Sequence, residues 1–220
     1  MSFSVVSIVA GGNDEISVGF EIVGEEGARR EKHLISLDAY TELSIARGEC
    51  DAALYETVVS EAQIYAAYKR GLYILGFGAC SERMLCSKLI AKGFGGESAK
   101  RAVERISRRG FIDDSASAYR DAQRCAAKLW GESRIRAYLA SRKYGSDVVD
   151  KALFALEDEG VDFDESCRSI IDKAYKELPN DREAMQRLIA SVCRYGYTVS
   201  QIKSACAVIA EERKKNYLYR

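Results

Sequence analysis

Residues 81–160 carry the same pattern twice. Displaced by fifty positions, Leu85 falls on Ile135, Leu89 on Leu139 and Phe94 on Tyr144. Ala99 then meets Val149, Ala102 meets Ala152, Val103 meets Leu153, Ile106 meets Leu156, and Gly110 lands on Gly160. A further displacement of fifty-three positions extends the series to Leu188, Val192, Tyr197, Ile202, Ala205, Cys206 and Ile209. A long period kept by burial-type residues while the others drift marks a repeated supersecondary unit. One short helical unit cannot bury its apolar stripe alone, so such units stack and share a core.

The spacing within each copy is helical. Leu54, Val58, Ala62, Tyr65, Tyr68, Leu72 and Leu75 recur every three or four residues, which predicts a helix over 53–77. Ser81-Glu82 caps a second helix that Gly93 stops, and a third ends at Gly110. Asp113-Asp114 opens the next copy, and Asp162 and Asp164 take the matching place in the third. Each copy reads as a long, a short and a medium helix. Residues 1–35 alternate as strands do: Ile16, Val18, Phe20 and Ile22 share one face, with turns at Gly11-Gly12-Asn13-Asp14 and between Gly24 and Gly27. Three strands are expected there, then a helix capped by Ser36 and a break at Arg47-Gly48-Glu49. The expected architecture is mainly α, with about three tandem three-helix repeats (61–112, 113–162 and 163–220) forming an elongated curved rod. A small α+β extension (1–60) precedes them.

Several function classes are excluded early. The single histidine, His33, is expected at the surface, and alone it rules out Cys2His2 and H-E-x-x-H metal sites. The seven cysteines show no C-x-x-C spacing and read as reduced, structural thiols. Gly76-x-Gly78 and Gly93-Phe94-Gly95-Gly96 follow no strand and lack the G-K-[ST] ending of a phosphate loop. No nucleophile, base and oxyanion donors assemble, so a non-enzyme without cofactor or metal is expected. No apolar run is long enough to span a membrane, and the Phe3 to Ala10 run lacks a basic flank. The expectation is a cytoplasmic monomer.

Charge points to a partner. The chain is neutral overall, yet residues 81–143 hold 15 basic and 7 acidic side chains between two acidic flanks. Such a block is where a polyanion would bind. Arg101, Arg105 and Arg108 lie on one line of a helix opposite Ala99, Ala102, Val103 and Ile106. Arg120, Arg124 and Lys128 make a second line, and Arg134, Arg136, Arg142 and Lys143 follow. Planar guanidinium forks match phosphate oxygens. Tyr138, interleaved with these cations, is the candidate for stacking on a base. Rows of charge on solvated helix faces are the competing reading, and a helical scaffold that binds only protein is the alternative function.

The ordered motifs resemble the RecX family. They are Leu75-Gly76 to Ser81, Lys88-Leu89-Ile90-Ala91-Lys92-Gly93-Phe94, and Gly110-Phe111-Ile112-Asp113-Asp114, followed by Gly131, Arg134-Ile135-Arg136 and Leu139. The resemblance covers about residues 66–215. Two places depart from it: Ser117 stands where an aromatic residue is usual, and Lys143 precedes Tyr144-Gly145 where a glycine is usual. The resemblance implies tandem three-helix repeats that bind the RecA recombinase and its DNA-bound filament, usually as an inhibitor. Its implied partners are therefore a RecA-type recombinase and single-stranded or filament-bound DNA.

Overall fold

The computed structural model describes residues 1–12, 14–25 and 27–218. Asn13 and Glu26, in the two expected turns, and the last two residues of the third expected repeat lie outside the described residues. The chain divides into two compact units, Met1–Ile112 and Asp113–Arg220.

In the first unit, β1 (Ser2–Ala10), β2 (Glu15–Gly24) and β3 (Gly27–Ser36) lead into α1 (Leu37–Glu42). A short β4 (Gly48–Cys50) then precedes α2 (Ala52–Leu75), α3 (Glu82–Ala91) and α4 (Gly96–Arg108). The sheet is antiparallel, in the order β3-β2-β1-β4. Ile16, Val18, Phe20 and Ile22 are all buried, together with Val5, Ile35, Ala39, Ile45 and Val58. The fourth strand corrects the sequence reading. Where a break was expected, Gly48–Cys50 pairs with Phe3 to Val5, and three residues are too few for alternation to register.

Helix α2 serves two cores. Its Asp51 cap accepts from the Leu54 amide at 2.8 Å, and Val58 lies under the sheet. Further on, Ile64, Tyr65, Ala67 and Tyr68 pack with Leu85, Leu89, Ala99, Ala102, Val103, Ile106 and Ile112. The α+β extension and the first helical triplet therefore fold as one body, which explains the 24-residue length of α2.

Polar contacts fasten the sheet to this helix. Lys69 Nζ donates to Glu15 Oε1 at 2.8 Å, and the Tyr65 hydroxyl donates to the same oxygen at 3.3 Å. The Tyr55 hydroxyl donates to Glu31 Oε2 at 2.6 Å. His33, expected at the surface, is instead half-buried beside Glu31 and edge-on to Phe20 and Tyr55. Bonding to Lys69 holds the Glu15 carboxyl below the usual carboxylate range, and bonding to Tyr55 does the same for Glu31. A carboxyl whose folded pKa is depressed stabilises above its unfolded pKa, and that contribution disappears as pH falls through the folded value. The stability gap between wild type and Glu15→Gln should therefore be full at neutral pH and should close below about pH 4. Thermal unfolding at a series of pH values measures this, and a gap independent of pH would refute it.

The second unit contains α5 (Asp114–Ala126), α6 (Glu132–Ser141), α7 (Ser146–Asp158), α8 (Phe163–Ala174), α9 (Arg182–Cys193) and α10 (Val199–Leu218). All six helices share one core, which includes Ala118, Ala122, Ile135, Leu139, Tyr144, Leu156, Ile171, Leu188, Val192, Ile202 and Ile209. The expected long-short-medium order holds only for α2–α4. Helix α5 has 13 residues, as α7 does, and α10 with 20 is the longest of its triplet. No sheet rests on α5 to reward the added turns that α2 carries.

At the end of the second helix of each triplet, Gly93, Lys143 and Gly196 adopt left-handed backbone conformations at φ +93°, +62° and +97°. Lys143 thus performs the stop that glycine performs at the other two positions. All seven cysteines are free thiols. Burial pushes Cys167 up to about 11 and raises Cys125 and Cys206 as well, which suppresses the reactive thiolate.

Candidate functional site

The basic segment resolves into three arrangements. The first lies on α4, whose apolar side faces α2. Arg101 Nη2 donates to Glu61 Oε1 at 2.7 Å, and Arg105 Nη2 donates to Glu61 Oε2 at 3.2 Å. Arg105 Nη1 also reaches Ser36 Oγ at 3.2 Å. One turn later Arg109 donates to Asp38 at 2.8 Å and to the Tyr68 hydroxyl at 3.2 Å. The Glu61 side chain is only 9% exposed. Two of the three predicted cations in this row thus clamp an internal carboxylate, while Arg108 is 82% exposed, with Glu104 3.8 Å away.

A second carboxylate organises α5 and α6. The Asp121 side chain, 3% exposed, accepts from the Tyr144 hydroxyl at 3.1 Å and pairs with Arg124. Arg142 Nε lies 3.6 Å from Oδ2, the oxygen that accepts from Tyr144, while Arg124 takes Oδ1. Burial and the Asp121 charge push the Tyr144 hydroxyl up to about 12, so it stays a donor. Both arginines keep part of their guanidinium surface at the exterior. Arg120 on α5 and Lys143 just beyond α6 are exposed, and Arg136 on α6 pairs with Glu132 and Asp150.

The third arrangement gathers cations and aromatics at one corner. Beyond α5, Lys128 Nζ lies 5.7 Å from the Trp130 ring centroid. Arg134 stacks over the same ring at 3.9 Å and lies 5.9 Å from Tyr195. Tyr138 meets Trp130 edge-on at 5.8 Å. A close crossing of two backbones holds the corner. Gly131 N donates to the Tyr195 carbonyl at 2.7 Å, and Ser133 Oγ donates to the Gly196 carbonyl at 2.6 Å. Arg134 Nη1 donates to the Arg194 carbonyl at 2.8 Å, and the Tyr197 hydroxyl to that of Leu129 at 2.9 Å.

Of the predicted residues, then, Lys128, Arg134 and Tyr138 come together at this corner, and Arg124 and Arg142 meet at Asp121. Trp130, Arg194 and Tyr195 were missed. The one available signal was the only tryptophan in the chain flanked by Lys128 and Arg134, at i−2 and i+4. Nothing in the spacing points to Tyr195, which arrives from the end of α9. Among the described residues, no three His, Cys, Asp or Glu side chains are placed to hold a metal, and no helix is long and apolar enough to cross a membrane.

No family model matches the chain. Curated relatives do. It is 28% identical over 160 residues to "Regulatory protein RecX" of Chlorobaculum tepidum, covering 70% of this chain and 94% of the relative. It is also 28% identical over 138 residues to the protein of that name from Xanthomonas axonopodis pv. citri, covering 62% and 83%. A crystal structure of regulatory protein RecX superposes with a TM-score of 0.68 at 19% identity, covering 93% of this chain and all of the other. In sequence and in fold the chain is similar to RecX proteins. RecX from Lactobacillus salivarius shares the fold at a TM-score of 0.57 and 14% identity, over 67% of this chain and 97% of that one. Both departures from the RecX motif lie in the second unit. Ser117, half-buried on α5, accepts at Oγ from Arg120 at 3.3 Å. Lys143 takes the left-handed backbone that Gly93 takes after α3.

Proposed function

We propose that this protein is a non-enzymatic regulator of a RecA-type recombinase that grips the nucleic acid of the recombinase filament through its basic middle segment. The observation that carries this reading is the corner where Lys128 and Arg134 meet Trp130, Tyr138 and Tyr195. Cations beside aromatic faces are what a nucleic-acid strand requires of its binder. Exposed Arg108, Arg120 and Lys143 add positive potential in their own units, and Arg124 and Arg142 present guanidinium edges held in place by Asp121. The relatives' name, a regulatory protein, agrees with control without chemistry. Inhibition follows if the protein binds one filament state more tightly than another.

Recombinase strand exchange and filament lifetime, measured with and without the protein, test the regulatory part. Slower exchange is expected, and an unchanged rate and lifetime would refute it. For the nucleic-acid part, the joint variant Arg120→Ala, Lys128→Ala, Arg134→Ala should lower the log–log salt slope of single-stranded DNA binding by about 0.7 per lost phosphate contact. An unchanged slope, or heparin bound as well as DNA, would favour a scaffold that binds only protein. Arg101 and Arg105 are poor probes of the same question, because removing them also strands Glu61.

A further inference from the structure

We infer that Trp130, Arg134 and Tyr195 form a stacking site for the unpaired bases of a single-stranded nucleic acid. The inference rests on the nucleic-acid reading above and narrows it to a class of ligand. Phosphate binding alone needs only cations, and cations are spread over both units. This corner differs by its planar surfaces: an indole, a guanidinium 3.9 Å above it, and a phenol ring 37% exposed beside the guanidinium.

The planes are held before any ligand arrives. Arg134 is tied to the Arg194 carbonyl and Tyr138 buttresses the indole edge. Tyr195 sits on a backbone that Gly131 bonds directly. A flexible arginine would lose rotamer freedom on stacking; here that freedom is already spent on folding. Lys128 lies beside the indole, placed to meet a phosphate that flanks a stacked base. Bases offer their faces only when unpaired, since in a duplex they are covered by their neighbours. The chemistry therefore selects a single strand over a duplex, and a strand with bases over a bare polyanion.

The test compares three probes at one salt concentration: an oligothymidylate, an abasic oligonucleotide of the same length, and a duplex of equal charge. Oligothymidylate should bind about tenfold more tightly than the abasic strand, and more tightly than the duplex. It should also quench the fluorescence of Trp130, the only tryptophan, where the abasic strand does not. Tyr195→Ala, at an exposed position, and Arg134→Lys, which keeps the charge but loses the plane, should each reduce the preference while far-UV circular dichroism stays that of the wild type. Equal binding of the two single strands, or preference for duplex, overturns the stacking site and leaves phosphate binding standing. Failure of every probe to bind overturns the nucleic-acid reading as well.

Discussion

Replacing Glu61 by Gln is expected to cost the first unit about 2–3 kcal/mol. The carboxylate is almost wholly buried and carries two guanidinium groups, at 2.7 and 3.2 Å. Its amide analogue keeps the shape but offers one acceptor oxygen and no charge. Breaking a fully buried ion pair by removing one partner costs about 3–5 kcal/mol. Arg101 is nearly half exposed, so solvent takes back part of the loss and the lower figure applies. Arg108→Ala on the same helix, at an exposed pair 3.8 Å apart, should be neutral within about 0.5 kcal/mol. Urea titrations followed by hydrogen exchange on α2 and α4 read both variants. Equal stability of Glu61→Gln and wild type would show that the clamp contributes nothing.

Gly131→Ala should be at least as damaging, at about 3 kcal/mol. A Cβ there would sit 2.6 Å from the Gly196 carbonyl oxygen and 2.8 Å from its carbon. Both are backbone atoms, so no side chain can rotate away. Gly196 is equally confined, because a Cβ on it would lie 2.5 Å from Arg134 Cβ, and its φ is +97°. Separating the two backbone segments also removes the 2.7 Å bond from Gly131 N to the Tyr195 carbonyl. Arg134 and Tyr195 would move apart, so single-strand affinity should fall together with stability. Trp130 fluorescence follows the transition next door. A variant that folds with wild-type stability would mean the crossing relaxes at little cost.

Much of the fold follows from local rules. Ile16, Val18, Phe20 and Ile22 declare their buried face by alternation alone, and Leu85, Ile135 and Leu188 declare theirs by helical spacing and the repeat. Ser36, Asp51, Ser81 and Asp113 accept bonds from backbone amides within three residues, so their positions can be read from the chain. The short β4 escaped because three residues carry no period, and its partner Phe3 to Val5 lies more than forty positions away.

The candidate site divides along the same line. That residues 81–143 are basic, and that their cations fall opposite the apolar stripes, is a matter of composition and helical geometry, fixed before any tertiary contact forms. Whether such a cation meets solvent or a carboxylate is not, because an arginine row looks the same in either case. Glu61 lies forty residues from Arg101, and Tyr195 some sixty from Arg134. Only the packing of α4 on α2 made Arg101 and Arg105 internal, and only the crossing of two glycine backbones brought Tyr195 beside Arg134. Spacing along a helix sets the direction of a side chain; what waits in that direction is set by which other element packs there.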